Sequence, residues 1–265
     1  ILFLNIHFFS ENISSNYDVN ISYNNHGVVG LINIPTARLF RESTHGISIY
    51  DGYPDQKITF TSSPYDWLEA SFFYTNIQGM EYPGFEYQDY KDKGFNFKAR
   101  IKNEGKYPAI AIGINDIAGT GYYSSEYVVA SKTHKKFDFH LGMGFGTLNG
   151  ANKTIKNPFI FLHESFENRP VNYEDNGGQF QPSRYFSGMK SSPFFGFSYE
   201  LNTNLIFKFE HDTTLIPGMI GYKESSNDYS FGLGYSYNEN LYFGISQERG
   251  NDISFKFSYK NNTLK

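Results

Sequence analysis

The histidines and the glycine-rich stretches are the parts of this sequence that come nearest to catalytic or metal-binding motifs. His163-Glu164 begins like the helix of a zinc protease, but the five residues read HESFE, so the second histidine is absent. Ile117–Ser125 reads IAGTGYYSS, which has turn glycines without the Lys-Ser/Thr of a phosphate loop. His134 and His140 are not at a metal-ligand spacing for a strand, and no G-x-S-x-G elbow occurs. The sequence therefore predicts no catalytic residue, no cofactor and no metal site.

A second group of polar residues alternates with apolar neighbours along several segments. In a strand, such residues share one face, and that face would be the interior of a barrel. They could line a path for a polar polymer, or pair with one another across the interior and stabilise it. Charges that face a wet interior are normal in barrels, so both interpretations stay open. The candidate lumen-lining residues are Lys98, Arg100, Glu126, Asp138, His140, Lys208, Glu210 and Lys256.

The composition indicates what kind of fold must position these side chains. Aromatic residues make up 19% of the 265 residues, yet only 39% are hydrophobic and the mean hydropathy is −0.48. A transmembrane barrel has this composition because alternate residues face lipid and a polar interior. There is no apolar run of eighteen residues that would form a spanning helix. The net charge of −4 argues against nucleic-acid binding, and the absence of cysteine fits an exported bacterial protein.

Alternation with a period of two predicts about twelve strands. The clearest segments are Phe95–Ile101, Phe137–Phe145 and Ile253–Tyr259, whose apolar residues are expected to face lipid. Glycines occupy many of the polar-phase positions, either because the interior of a closed barrel is crowded or because they mark bulges. The expected fold is an all-β, antiparallel transmembrane barrel. The remaining segments are 46–51, 56–61, 66–75, 108–115, 122–132, 195–201, 205–211, 229–237 and 241–246.

Two segments lack this alternation and are expected to close the lumen. Val28–Phe40 contains Pro35, which cannot donate to a strand ladder, and Thr36 to Arg38 interrupt the apolar pattern. This segment is therefore predicted to be an ordered element against or within the lumen, with Pro35, Thr36 and Arg38 in the candidate plug. Gly146–Lys190 is too long for a hairpin connection and is expected to be an extracellular loop or a plug.

The predicted domain organisation follows from these segments. Residues 1–27 are expected to be the remnant of a signal peptide followed by a polar N-terminal stretch, although a buried terminal strand fits Ile1–Phe9 equally well. Residues 28–265 are expected to form the barrel, with an ordered N-terminal segment at 28–40 and a long loop or plug at 146–190.

Four stretches resemble one known family. They are GLINIPTARLF (30–40), DKGFNFKARI (92–101), AIGINDIAGTGYYSSEYVVASK (111–132) and FDFHLGMGFGTL (137–148). Together they are similar to the YjbH/GfcD-type outer-membrane proteins of exopolysaccharide and group 4 capsule operons, and the resemblance covers about residues 27 to 211. It implies a Gram-negative outer-membrane barrel encoded beside polysaccharide-export lipoproteins, without catalytic residues. Because members of that family have a second barrel-like half, this chain is expected to be one half or a shortened member.

Three functions are consistent with the sequence. The first is a plugged or constricted barrel in exopolysaccharide or capsule production, in contact with lipid, polysaccharide and export lipoproteins. The second is a general porin for small solutes, and the third a soluble carbohydrate-binding β-sandwich. A closed barrel would exclude the third, and conductance separates the first from the second.

Overall fold

A computed structural model describes residues 21–82, 84–150, 154–170, 180–215, 226–250 and 252–264. The expected signal-peptide remnant at Ile1–Phe9 lies outside these residues. Fifteen strands are present in the described chain. They are β1 (Ser22–Tyr23), β2 (Val29–Gly30), β3 (Thr44–Asp51), β4 (Asp55–Tyr65), β5 (Leu68–Tyr82), β6 (Phe85–Lys102), β7 (Ala109–Ile117), β8 (Ser125–His134), β9 (Phe137–Gly146), β10 (Ile155–Lys156), β11 (Lys190–Glu200), β12 (Leu205–His211), β13 (Tyr229–Ser236), β14 (Leu241–Glu248) and β15 (Asp252–Asn262).

Twelve antiparallel strands, β3 to β9 and β11 to β15, form a closed ring. The first and last strands pair with each other, with Phe257 opposite Ile49. Across the long connection, β9 pairs directly with β11, and Phe139 lies opposite Phe197. Every strand of the ring therefore has two partners, and in the described residues the body of the ring has no open edge. The predicted twelve-stranded antiparallel barrel is confirmed, and a closed ring excludes the soluble β-sandwich.

The outer surface of the ring is apolar, and the alternation is as predicted. Strand β13, for example, alternates exposed and buried residues without interruption from Tyr229 to Ser236. An aromatic exterior around a polar interior is the arrangement of an outer-membrane barrel, so this protein spans the outer membrane. The exposed outward residues include Phe95, Phe97, Phe139, Leu141, Phe231, Leu233, Phe243, Ile245 and Phe255.

Glycines on the inward face make space for larger neighbours. A Cβ on Gly142 would lie 2.1 Å from the ring of Phe194, and one on Gly196 would lie 2.6 Å from Leu31 Cδ1. Both glycines occupy regular paired positions, with Gly142 opposite Phe194 and Gly196 opposite His140. At these positions, crowding of the interior explains the glycines and a bulge does not.

The two ends of the barrel differ in the length of their connections. Only two residues separate β4 from β5 and β8 from β9, whereas the connections after β9 and β12 are long. Outer-membrane barrels have short periplasmic turns and longer extracellular loops. We therefore assign the end with Tyr65–Leu68 and His134–Phe137 to the periplasm and the end with the long connections to the cell exterior. Within the described residues no helix is long and apolar enough to cross a membrane.

The outward face gives a first testable prediction. Phe257 lies at the middle of β15, and its ring packs against Phe243 with the centroids 5.4 Å apart. Phe257→Lys places a charge at mid-bilayer, which costs about 2–4 kcal/mol. We expect most of this variant to lose the heat-modifiable migration of a folded barrel on a detergent gel. Phe257→Leu, which stays apolar, should fold normally, and equal folding of both variants would contradict a lipid-facing Phe257.

Candidate functional site in the barrel lumen

A compact N-terminal element, residues 21–40, forms the candidate site; we call it the luminal segment. It begins with a small hairpin in which β1 and β2 pair, with Tyr23 opposite Val29. Asn24 Oδ1 accepts the N–H groups of His26 and Val28 and so closes the turn between them. Every residue from 27 to 40 is buried, including Pro35, Thr36 and Arg38 of the candidate plug. The element begins before the expected boundary at residue 28, because Ser22 and Tyr23 supply the partner of β2.

The luminal segment makes contacts on all sides of the ring. Its hydrogen-bond partners include Thr61 of β4, Glu69 of β5, Lys98 of β6, Ser131 of β8, Asp138 of β9, Glu210 of β12, Glu248 of β14 and Lys256 of β15. Only an element inside the barrel can reach strands on opposite sides at once. Val28–Phe40 thus lies within the lumen and pairs with no barrel strand.

One lysine–glutamate pair holds the main chain of Val29. Glu69 and Lys98 lie opposite each other on β5 and β6, both are fully buried, and their charged atoms are 3.0 Å apart. Glu69 accepts the N–H of Val29 at 2.8 Å, and Lys98 Nζ donates to the carbonyl oxygen of the same residue at 2.8 Å. The pair therefore satisfies both main-chain groups of one luminal residue.

On the other side of the barrel, Lys208 and Glu210 of β12 each bind the main chain of the luminal segment. Glu210 accepts the N–H groups of Ile32, Asn33 and Ile34 at 2.9, 2.8 and 3.3 Å. Lys208 Nζ donates to the carbonyl oxygen of Leu31 at 3.0 Å. Three converging N–H groups stabilise a buried carboxylate, because bonds to a charged acceptor are strong in a dry environment.

A third group of contacts lies where β14 and β15 meet the hairpin. Glu248 accepts from the side-chain amides of Asn25 at 2.9 Å and Asn33 at 3.0 Å. Lys256 Nζ donates to the carbonyl oxygen of Tyr23 at 3.0 Å. Glu248 and Asn25 were not among the predicted site residues, since Glu248 lies two residues beyond the strand that alternation indicated.

At the periplasmic end, Arg38 fixes the exit of the luminal segment. Its guanidinium binds the Asp138 carboxylate through two bonds of 2.9 and 2.6 Å, and it also lies 2.6 Å from Glu104 in the turn after β6. Burial raises the pKa of Glu104, but the charge of Arg38 and the Thr133 N–H outweigh it and hold that pKa below its ordinary value. Glu104 is therefore ionised at neutral pH and attracts Arg38.

The other predicted lumen-lining residues have different surroundings. His140 Nδ1 is 2.8 Å from Ser131 Oγ, which accepts the N–H of Ala37, so His140 supports the luminal segment through Ser131. Arg100 is half-buried at the periplasmic rim and donates to the carbonyl oxygen of Asp66. This bond holds the turn between β4 and β5, and the lumen-lining role of Arg100 stays a prediction.

Glu126 binds the long connection between β9 and β11. Its carboxylate lies 2.7 Å from Arg169 Nη1 and accepts the N–H of Phe186 at 2.9 Å. Rings from the same connection pack on the end of β9, with Phe159 and Phe186 each about 5.5 Å from Phe145. The described parts of 146–190 thus cover the extracellular end beside β8 and β9, while Leu148 reaches down to the apolar side of the luminal segment.

Comparison with known proteins identifies relatives in sequence and in fold. The model of the YjbH family, described as "Exopolysaccharide biosynthesis protein YbjH", matches residues 22–265. The "Uncharacterized lipoprotein YjbH" of Escherichia coli (strain K12) is 32% identical over 248 residues, which are 91% of this chain and 35% of that protein. This chain therefore spans about a third of the length of the curated relative.

The comparison with solved structures finds two porins and an outer-membrane phospholipase among the matches. The KdgM porin in complex with disordered oligogalacturonate aligns with 82% of this chain and 97% of its own, at a TM-score of 0.42 and 8% identity. The NanC porin aligns with 83% of this chain and 99% of its own, at 0.40 and 9%. Outer membrane phospholipase A from Escherichia coli aligns with 84% and 97%, at 0.32 and 7%.

Proposed function

The chain belongs to the YjbH exopolysaccharide biosynthesis family, and from this premise we propose that it is a plugged, non-catalytic barrel of exopolysaccharide or capsule production. In this proposal the luminal segment closes the barrel at rest, and export partners act with the barrel when polymer is produced. The long connection 146–190 adds a cover at the extracellular end.

The observation that carries the proposal is the way in which charged side chains bind the luminal main chain. Glu69, Lys98, Lys208, Glu210 and Lys256 together hold N–H and carbonyl groups from Tyr23 to Ile34. Displacing the segment from the lumen would break all of these bonds together. Each hydrogen bond to a charged group contributes about 1.5–3 kcal/mol to stability. A barrel that is constitutively open, as a general porin is, has no use for such an element.

Two further observations support the proposed partners and the non-catalytic role. The sequence contains no Ser/His constellation or metal motif, which favours a non-catalytic role. The family description concerns exopolysaccharide biosynthesis, so we propose a polysaccharide as the polymer and export lipoproteins encoded in the same operon as partners. Because this chain spans about a third of its curated relative, these roles are proposals for the whole protein.

Conductance in a planar lipid bilayer tests the proposal. We expect the intact chain, inserted as a heat-modifiable barrel, to conduct poorly and without large steady steps. A large, steady conductance from the intact chain would favour the porin function and exclude the plugged state.

A further inference from the structure

The hairpin of β5 and β6 projects beyond the extracellular end of its neighbours. Strand β4 starts at Asp55, which pairs with Ile77 of β5, and β7 ends at Ile117, which pairs with Phe95 of β6. Residues 78–82 and 84–94 therefore form a two-stranded ribbon that is supported on one side only or not at all. Closure of the barrel does not require this extension of β5 and β6.

A bulge turns the aromatic residues of this ribbon towards the mouth of the barrel. Gly79 has φ +77°, and the pairing shifts register between Ile77 and Glu81. The shift places three extra residues on β5, and because this number is odd it moves the following side chains to the other face. Met80 consequently packs with Tyr90 and Tyr122 against the inward cluster of Phe73, Ile77 and Tyr123.

The rings on this inward face form a continuous row. Tyr82 stacks on Tyr90 with the centroids 4.6 Å apart, and Tyr90 meets the edge of Tyr122 at 5.1 Å. All three rings are partly exposed. Deeper in the barrel, Tyr123 lies 5.6 Å from Phe73 and 6.4 Å from His26 of the luminal segment. The row therefore leads from the tip of the ribbon to the luminal segment.

Carboxylates accompany the row on its inner side. Asp92 Oδ1 accepts from the hydroxyl of Thr120, while Asp92 Oδ2 is buried without a hydrogen-bond partner. Asp116 Oδ1 is also buried without a partner, and Asp55 accepts from the hydroxyl of Tyr123 at 2.6 Å. Lys57 lies 3.3 Å from Asp55 and 4.0 Å from the ring centroid of Tyr123. The inner side is thus rich in oxygen acceptors.

We propose that Tyr82, Tyr90 and Tyr122 are a binding track for a neutral pyranose polymer, an inference that rests on the proposed function and names its substrate class. The C–H face of a pyranose ring is weakly positive and stacks on the negative face of an aromatic ring. Sugar hydroxyls donate well to carboxylate oxygens such as Asp92 Oδ2. A polyanionic polymer is disfavoured, because its carboxylates would lie against the negative faces of these rings and have no proton to donate to the unpartnered acceptors.

Isothermal titration of the full chain in detergent micelles tests the track. The probes are three neutral glucose hexamers, namely cellohexaose, maltohexaose and laminarihexaose, with hexagalacturonate as the anionic comparison. We expect at least one neutral hexamer to bind more tightly than hexagalacturonate. Tyr90→Ala and Tyr122→Ala should each weaken that binding about tenfold, whereas Tyr90→Phe, which keeps the ring, should preserve it. The matched control is Tyr87→Ala, since Tyr87 is on the same ribbon but is 96% exposed and outside the row.

Three results would overturn the track: no binding of any neutral hexamer, tighter binding of hexagalacturonate, or equal losses in Tyr87→Ala and Tyr90→Ala. Heat-modifiable migration of each variant shows that the barrel has folded. Bilayer conductance of the same wild-type preparation separates this inference from the proposed function. Low conductance without sugar binding overturns the track alone, and high conductance with sugar binding overturns the plugged barrel alone.

Discussion

Replacing residues 22–38 by a short Gly/Ser linker is expected to convert the closed barrel into a conducting pore. Eight strands leave a lumen filled by side chains and sixteen leave an aqueous channel, so a twelve-stranded barrel without its luminal segment has an intermediate width. We expect the bilayer conductance to rise about tenfold or more. The freed lysines and carboxylates would be hydrated in a wet lumen, and the barrel itself should therefore still form.

The long connection supplies the matched deletion. Removing residues 154–170 takes away Arg169 and its bond to Glu126, but it leaves every bond between the luminal segment and the barrel in place. Conductance of this variant should rise much less than that of the luminal deletion. If the luminal deletion gives a folded barrel that conducts as poorly as the intact chain, residues 21–40 are not what closes the lumen.

Glu69→Ala is expected to have a large effect on the stability of the barrel. The change leaves the N–H of Val29 without its acceptor and leaves the fully buried Lys98 without its counter-charge. Breaking one partner of a buried charged pair costs about 3–5 kcal/mol of unfolding free energy. The chain has a single tryptophan, Trp67, whose fluorescence during denaturant unfolding reports on the periplasmic end of β5.

Two further variants show whether the loss of unfolding free energy comes from the unpaired charge. Glu69→Leu/Lys98→Met removes both charges and should recover part of the lost stability, because apolar replacements of a buried pair are often tolerated. Glu164→Ala changes an exposed carboxylate in the long connection and should leave the unfolding free energy nearly unchanged. Equal costs for Glu69→Ala and Glu164→Ala would contradict the anchoring role of Glu69.

The barrel was predictable because lipid on one side and a polar lumen on the other impose a period of two on every strand. This is why the outward Phe95, Phe139 and Phe255 could be assigned from the sequence. The projecting ribbon was missed, since β6 begins at Phe85, ten residues before the alternation starts, and the bulge at Gly79 changes the phase of β5. Strand β8 begins at Ser125 and not at Tyr122, because Tyr122 and Tyr123 turn towards the mouth.

The partners of the luminal segment could be predicted only in part. The charged residues Lys98, Lys208 and Glu210 were recognisable from their phase, but which of them meet across the lumen depends on closure and stagger of the whole ring. The charged side chains also do not simply neutralise one another. They bind main-chain groups of the luminal segment from Tyr23 to Ile34, and the phase of a strand does not predict such contacts. Asn25 and Glu248 show this, since their contact joins residues 223 positions apart.

A disulfide between the luminal segment and the wall tests the central claim most directly. The chain has no cysteine, so Ala37→Cys combined with Ser131→Cys gives a defined pair. The N–H of Ala37 lies 2.8 Å from Ser131 Oγ, which places the two positions within reach of a disulfide. We predict that this pair cross-links under mild oxidation in outer membranes, and that Ala37→Cys with Ala130→Cys, on the other face of β8, does not. Absence of the first cross-link, together with labelling of Ala37→Cys by a bulky membrane-impermeant maleimide, would contradict a luminal segment that closes the barrel.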